Sequence, residues 1–271
     1  MNFSHTITIK DIELYPIASA EGVSPQMAIG SMPVRPALLL RVTDTDDCFG
    51  WGEVWANFPP RAHVHKAHII DDVINPVVQN LPFTEPQQVQ QWLREKLSIY
   101  FLHVGQPQVF EHILAGLDTA LWDLTLRKHN VSAMQYFNVG ERVACYASSI
   151  NASDLNTVIP MAAERGQRHF KIKVGFQDDN GCSLVQRAAE LCPDNARLMI
   201  DSNQSWTLAQ AQSSLQALEQ YSLYFAEESL PANSPLSDWE ALAKSTSIPL
   251  AGGENIYGLS QFLAMADAGL T

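Results

Sequence analysis

The chain has 271 residues, 46% of them hydrophobic, with a mean hydropathy of −0.08 and a formal net charge of −12. That length accommodates two domains or one barrel, and the negative balance argues against nucleic acid, whose phosphates need a basic face. No apolar run approaches the ~18 to 20 residues of a membrane span. The N-terminus, Met1-Asn2-Phe3-Ser4-His5, lacks the layout of a secretory signal. Four scattered cysteines (Cys48, Cys145, Cys182, Cys192) without metal-ligand spacing fit a reduced cytoplasm.

The first ~60 residues read as antiparallel strands. Thr6 to Leu14 alternates apolar and polar, and its phase flips between Ile9 and Ile12, which predicts a bulge near Lys10-Asp11. Ala37 to Val42 and Phe49 to Val54 follow as strands, with Asp44 to Asp47 as the turn between them. Two irregular stretches, Ser19 to Pro33 and Ala56 to Pro60, are candidates either for a lid or for ordinary surface loops. Helices are predicted over Arg61 to Val78, Pro86 to Tyr100 and Pro107 to Lys128. In the last of these Phe110, Ile113, Leu114, Leu117, Leu121 and Leu124 form one apolar stripe. Three strands followed by three helices make an α+β domain, placed at residues 1–130.

Residues 131–271 change to strand-helix alternation. Strands are predicted at about 143–150, 169–174, 197–201, 222–227 and 248–252, with helices between them capped by Ser153 and Thr207 and a last helix over Leu259 to Ala268. Polar anchors end these strands: Lys171-Ile172-Lys173, Asp201-Ser202-Asn203, Glu227 and Glu254. From Lys173 onward they stand 28, 26 and 27 residues apart, about the length of one unit of a (β/α)8 barrel, whose active site lies at the strands' C-terminal ends. Five units do not close eight strands, and three more would need on the order of 80 residues. The expectation is a truncated product or an open sheet.

Asp201, Glu227 and Glu254 lie on consecutive strand ends without a nearby arginine, and would repel one another unless a cation neutralised them. Hard oxygen donors of this kind suit Mg²⁺. Glu228 falls on the other face by strand parity and is the less favoured ligand. Lys171 and Lys173 share a face, and two ammonium groups side by side near a cation should lower a lysine pKa and free one amine as a base. Asn203 shares parity with Asp201 and is a candidate substrate contact. His63, His65 and His68 open a helix that also carries Lys66, Asp71 and Asp72, which reads as a solvated face. Cys145 and Cys182 lack a positioned base.

Taken together, these motifs resemble the enolase superfamily in its mandelate racemase and muconate lactonizing branch. Gly50-Trp51-Gly52-Glu53, Ala115-Gly116-Leu117-Asp118-Thr119-Ala120-Leu121-Trp122-Asp123, Lys171-Ile172-Lys173, Asp201-Ser202-Asn203, Phe225-Ala226-Glu227-Glu228 and Gly252-Gly253-Glu254-Asn255 carry the resemblance in order. It implies an α+β capping domain followed by a TIM-type (β/α) barrel, of which about five units are present. It also implies Mg²⁺ held by Asp201, Glu227 and Glu254, with Lys173 as catalytic base and Lys171 holding the substrate carboxylate. The shared step would be abstraction of the proton α to that carboxylate, giving an enediolate. The N-terminal loops match those that reach over the site and choose substrates. Glutamate as third ligand resembles the racemase and sugar-acid dehydratase side.

The implied activity is a Mg²⁺-dependent racemase or dehydratase of a hydroxy acid or sugar acid. Its partners are a small carboxylate substrate and further copies in a homo-oligomer, with neither nucleic acid nor membrane. A muconate-type cycloisomerase or dipeptide epimerase is the alternative within the superfamily. A truncated, catalytically silent remnant is the alternative outside it, because strands six to eight would carry the second acid/base. Ser229 stands where the family usually has proline.

Overall fold

Ile7, Ile9 and Ile12 all face one core because the strand that carries them slips phase once. In the computed structural model, which describes residues 6–19, 26–27, 30–31, 34–140, 142–176, 181–268 and 270, that strand is β1 (Ile7–Ala18). Its register with β4 shifts between Ile9 and Asp11, the bulge that the sequence predicts. A small ribbon, β2 (Gln26–Met27) and β3 (Gly30–Ser31), precedes β4 (Pro36–Asp44) and β5 (Phe49–Val54). Of the predicted loop Ser19 to Pro33, residues 20–25, 28–29 and 32–33 lie outside the described residues.

The chain divides into two compact units, Met1–Pro25 with Met32–Arg142 and Gln26–Ser31 with Val143–Thr271. In the first, β5, β4, β1 and the short β6 (Pro82–Phe83) form an antiparallel sheet in that order. Leu38, Leu40 and Val42 alternate inward along β4. The predicted helix over 61–78 is a run of α1 (Ala62–Ile69), a π-helical turn (Ile70–Ile74) and α2 (Asn75–Val78). After it come α3 (Pro86–His103), α4 (Pro107–Lys128) and the short α5 (Ala133–Phe137).

The apolar stripe of α4 is buried throughout. Its other signature residues are explained by a close crossing with β5. A Cβ on Gly50 would collide with the Ala120 carbonyl, and one on Gly52 with the Gly116 carbonyl, so only glycine lets strand and helix backbones meet there. Asp123 then accepts a hydrogen bond from the Trp51 amide at 2.9 Å and ties the two motifs together. His65, His68, Asp71 and Asp72 are exposed, in line with a solvated face, and Lys66 is the exception on that stretch, at 2% exposure.

The second unit holds the parallel strands β7 (Ala147–Ile150), β8 (His169–Lys173), β9 (Arg197–Asp201), β10 (Ala226–Glu227) and β11 (Leu250–Ala251), side by side in chain order. Helices α6 (Leu155–Glu164), α7 (Cys182–Leu191), α8 (Leu208–Leu218), α9 (Leu236–Ser245) and α10 (Leu259–Asp267) alternate with them. Ile159, Val185, Leu215 and Leu242 reach from four of these helices into the core around Phe170, Ile172 and Ile200.

Thr207 caps α8 as predicted, in a reciprocal box with Gln210. Ser153 does not cap α6. Residues 152–154 form a 3₁₀ turn instead, Asp154 takes the cap position, and the Ser153 hydroxyl donates to Asp154 Oδ1. Among the described residues no helix is long and apolar enough to cross a membrane.

Candidate active site

Parallel pairing turns the ~27-residue period into a row. Lys173 pairs with Asp201 across β8 and β9, and Asp201 pairs with Glu227 across β9 and β10. Glu227 in turn pairs with Ala251 of β11, three residues before Glu254, which sits in the turn that follows and is exposed. The strand ends therefore gather the predicted anchors along one edge of the sheet.

Asp201 is the centre of the row and only 1% exposed. Its Oδ2 accepts from Lys173 Nζ at 2.7 Å and lies 3.5 Å from Lys171 Nζ. Lys171 Nζ donates to Glu227 Oε2. Lys173 Nζ also donates to Asn203 Oδ1 at 2.5 Å, and the Asn203 amide donates back to Asp201 Oδ1 at 2.9 Å. Asn203 is thus built into the lysine–aspartate network. The network turns there with a left-handed φ of 44°, a conformation that asparagine tolerates well.

The expected depression of a lysine pKa by its twin does not hold for Lys171. Burial by itself would lower it, but the Glu227 hydrogen bond and the Asp201 and Glu227 charges outweigh burial and hold it above the ordinary lysine value. Glu227 Oε2 accepts a hydrogen bond from this amine, and Asp201 Oδ2 stands 3.5 Å from it. Tyr146, which the sequence reading passed over, places its ring 5.4 Å from Lys171 Nζ and edge-on to Phe225. An aromatic residue just ahead of the first parallel strand was the available signal.

Glu228 departs from strand parity. Its φ of 46° is left-handed, so the chain turns at the strand end and the side chain swings back, leaving the residue 3% exposed. Burial raises its carboxyl pKa to about 7. The Asn255 hydrogen bond opposes that rise, and the nearby Glu254 and Asp201 charges add to it. Parity arguments assume an extended backbone, and this one residue is not extended. The doubled glutamate was the signal for it.

Whether these residues suit a hard divalent cation is a question of donor chemistry. Asp201, Glu227, Glu228 and Glu254 offer carboxylate oxygens alone, the donors that Mg²⁺ prefers, and Glu228 Oε2 is buried without a hydrogen-bond partner. The donor set fits. Among the described residues no three such side chains converge as a ready ligand group. Lys171 and Lys173 supply the neutralising charge instead. Among the described residues Cys48, Cys145 and Cys192 form no disulfide.

Residues 12–137 match the family model for the mandelate racemase / muconate lactonizing enzyme N-terminal domain, and residues 156–271 match the enolase C-terminal domain-like model. A solved mandelate racemase/muconate lactonizing enzyme from Bordetella bronchiseptica RB50 is 33% identical, with a TM-score of 0.89 over 97% of this chain and 70% of that one. This chain belongs to the enolase superfamily, in its mandelate racemase and muconate lactonizing branch. The o-succinylbenzoate synthase of Geobacillus stearothermophilus is 26% identical over 84% of this chain, which spans 59% of that relative's length. Dehydratases and cycloisomerases are among the other curated relatives. A Bradyrhizobium enolase solved with magnesium and mandelic acid shares the fold, with a TM-score of 0.84 and 24% identity over 98% of this chain and 73% of its own.

Proposed function

We propose that this superfamily member is a Mg²⁺-dependent racemase or dehydratase that removes the proton α to the carboxylate of a hydroxy acid or sugar acid. The observation that carries the reading is the row itself: an amine, Lys173, fixed between Asp201 Oδ2 and Asn203 Oδ1 at the C-terminal edge of a parallel sheet of carboxylate-bearing strands. Asp201, Glu227 and Glu254 would hold the cation, which when bound would offset negative charge on the substrate carboxylate. Lys173 takes the α proton on Nζ. Lys171, two residues back on the same face, binds the substrate carboxylate. Asn203 orients Lys173 through Oδ1 and offers its side-chain Nδ2 to a substrate oxygen.

The second reading is a cycloisomerase of the same superfamily, favoured by the curated cycloisomerase relatives. Product analysis of a panel of acid sugars and muconate-type acids incubated with Mg²⁺ separates the two.

Two measurements test the proposal on the full chain. Calorimetry with MgCl₂ should show binding that Asp201→Asn removes; binding unchanged in that variant would sink the metal assignment. With a sugar acid that exchanges its α proton in D₂O, Lys173→Ala should lower exchange by at least two orders of magnitude while Mg²⁺ still binds. Exchange that persists at the parent rate assigns the base elsewhere.

A further inference from the structure

An antiparallel sheet that packs helices on one face ordinarily turns polar side chains outward on the other. The sheet of the first unit departs from that pattern. Leu38, Leu40 and Val42 of β4 and Val54 of β5 point into the core, so the alternate positions form the outer face. Among these are Tyr15 and Ile17 of β1, Ala37 and Leu39 of β4, and Phe49 and Trp51 of β5. Tyr15, Ile17 and Trp51 are exposed, and the Tyr15 and Trp51 rings meet at 5.3 Å. Arg41 lies on the same face, 2.8 Å from Glu13 and 5.0 Å from the centre of the Phe49 ring. Aromatic side chains together with arginine are the composition of protein interface cores.

Charge limits what can cover this face. A chain of net charge −12 repels its own copy over most of its surface. Here the charges are balanced: Glu13 is paired with Arg41, and at the rim Asp123 is paired with Arg127. Such a face gives a basic partner little to hold and meets its own copy without repulsion. Strand addition at the β5 edge is blocked at Trp51, whose amide is already bound to Asp123. The register supplies the complementarity. Across β4 and β5, Arg41 pairs with Trp51 and Leu39 with Glu53. These four residues are the corners of a quadrilateral, with Arg41 and Glu53 on one diagonal and Leu39 and Trp51 on the other. Glu53 is exposed. Arg41 meets Glu13 through Nε, and its two terminal nitrogens suit a second carboxylate. A two-fold axis along the Leu39–Trp51 diagonal sets Arg41 against Glu53 of the partner subunit, and by symmetry sets Glu53 against the partner's Arg41. We propose that this outer face is the contact with a second copy of the chain, a two-fold contact centred on Trp51 and registered by Arg41 and Glu53.

The test is the mass of the full chain in solution. Analytical ultracentrifugation in the micromolar range should place the parent at twice the 30.0 kDa of one chain, or at an even multiple of it. Glu53→Arg should weaken the association about tenfold or more, because it sets arginine against arginine twice. Trp51→Glu should do the same by placing charge at the centre. Arg41→Glu combined with Glu53→Arg exchanges the two corners and should recover most of the loss seen in Glu53→Arg. Circular dichroism checks that each variant folds; should the double variant not fold, Glu53→Arg and Trp51→Glu decide the surface by themselves. A parent at 30.0 kDa or an odd multiple of it overturns the proposal. So does association of either single variant within twofold of the parent, or a folded double variant that associates no more tightly than Glu53→Arg.

Discussion

Lys66 in the first unit and Lys171 in the second are buried almost equally, at 2% and 6% exposure, yet their amines are displaced in opposite directions. Among the described residues the hydrogen-bond partners of Lys66 Nζ are the Trp55 carbonyl and His112 Nδ1, the latter at 2.9 Å, with the Trp55 ring 4.9 Å away. Burial dominates there and lowers the Lys66 pKa to about 8. Lys171 suffers the same burial but sits between Glu227 and Asp201, and its pKa rises. Depth sets the size of the desolvation penalty; the sign of the result is set by the charge that meets the amine. A lysine in a protein interior is therefore informative only together with its partner.

The largest expected difference follows from removing each amine. Lys171→Met should cost about 3 kcal/mol of unfolding free energy in metal-free buffer, because it strips a buried ammonium from two carboxylates. Urea denaturation at pH 7 measures it. Lys66→Met at the same pH should cost less than about 1 kcal/mol or stabilise, since a buried charge that has no carboxylate partner among the described residues is exchanged for an apolar side chain of similar shape. Equal losses in the two variants would break the comparison.

The second difference is in pH. The folded-state pKa of Lys66 lies below its unfolded value of 10.5, so between about 8 and 10.5 the unfolded chain binds more protons and stability rises with pH. Relative to Lys66→Met, the parent should gain about 2 kcal/mol across that window, read from urea midpoints at pH 7.5 and 10. A flat difference would place a carboxylate beside the amine.

The smallest effect is on His112. Burial, followed by the Lys66 charge, lowers its pKa from 6.5 to about 4. Its stabilising contribution is thus present above 6.5 and lost as pH falls through 4. In Lys66→Met the imidazole should titrate somewhat higher, though still below 6.5 because burial remains, as NMR of the ring protons can follow. An unmoved His112 would mean that Lys66 does not charge that corner.

Much of the second unit was legible because a period of about 27 residues and short apolar runs are local properties of a chain. They located the parallel strands and the residues at their ends. The two glycine motifs were legible as a resemblance, whereas their cause, carbonyls of α4 against the backbone of β5, lies in tertiary contact. Ser153 and Thr207 look alike as helix caps, and only Thr207 has the glutamine three residues on that closes the box. The 3₁₀ turn at 152–154 gave the other cap position to Asp154.

What the sequence determined by itself was which residue types stand at which strand ends, and hence an all-oxygen, two-lysine site. Only the tertiary structure decided how those charges are paired. Register aligned Lys173, Asp201 and Glu227 in one row, and a left-handed turn carried Glu228 to the face that alternation denied it. The reason is physical: the order of residue types is written along the chain, whereas pairing depends on distances across strands and on single backbone angles that no periodicity encodes.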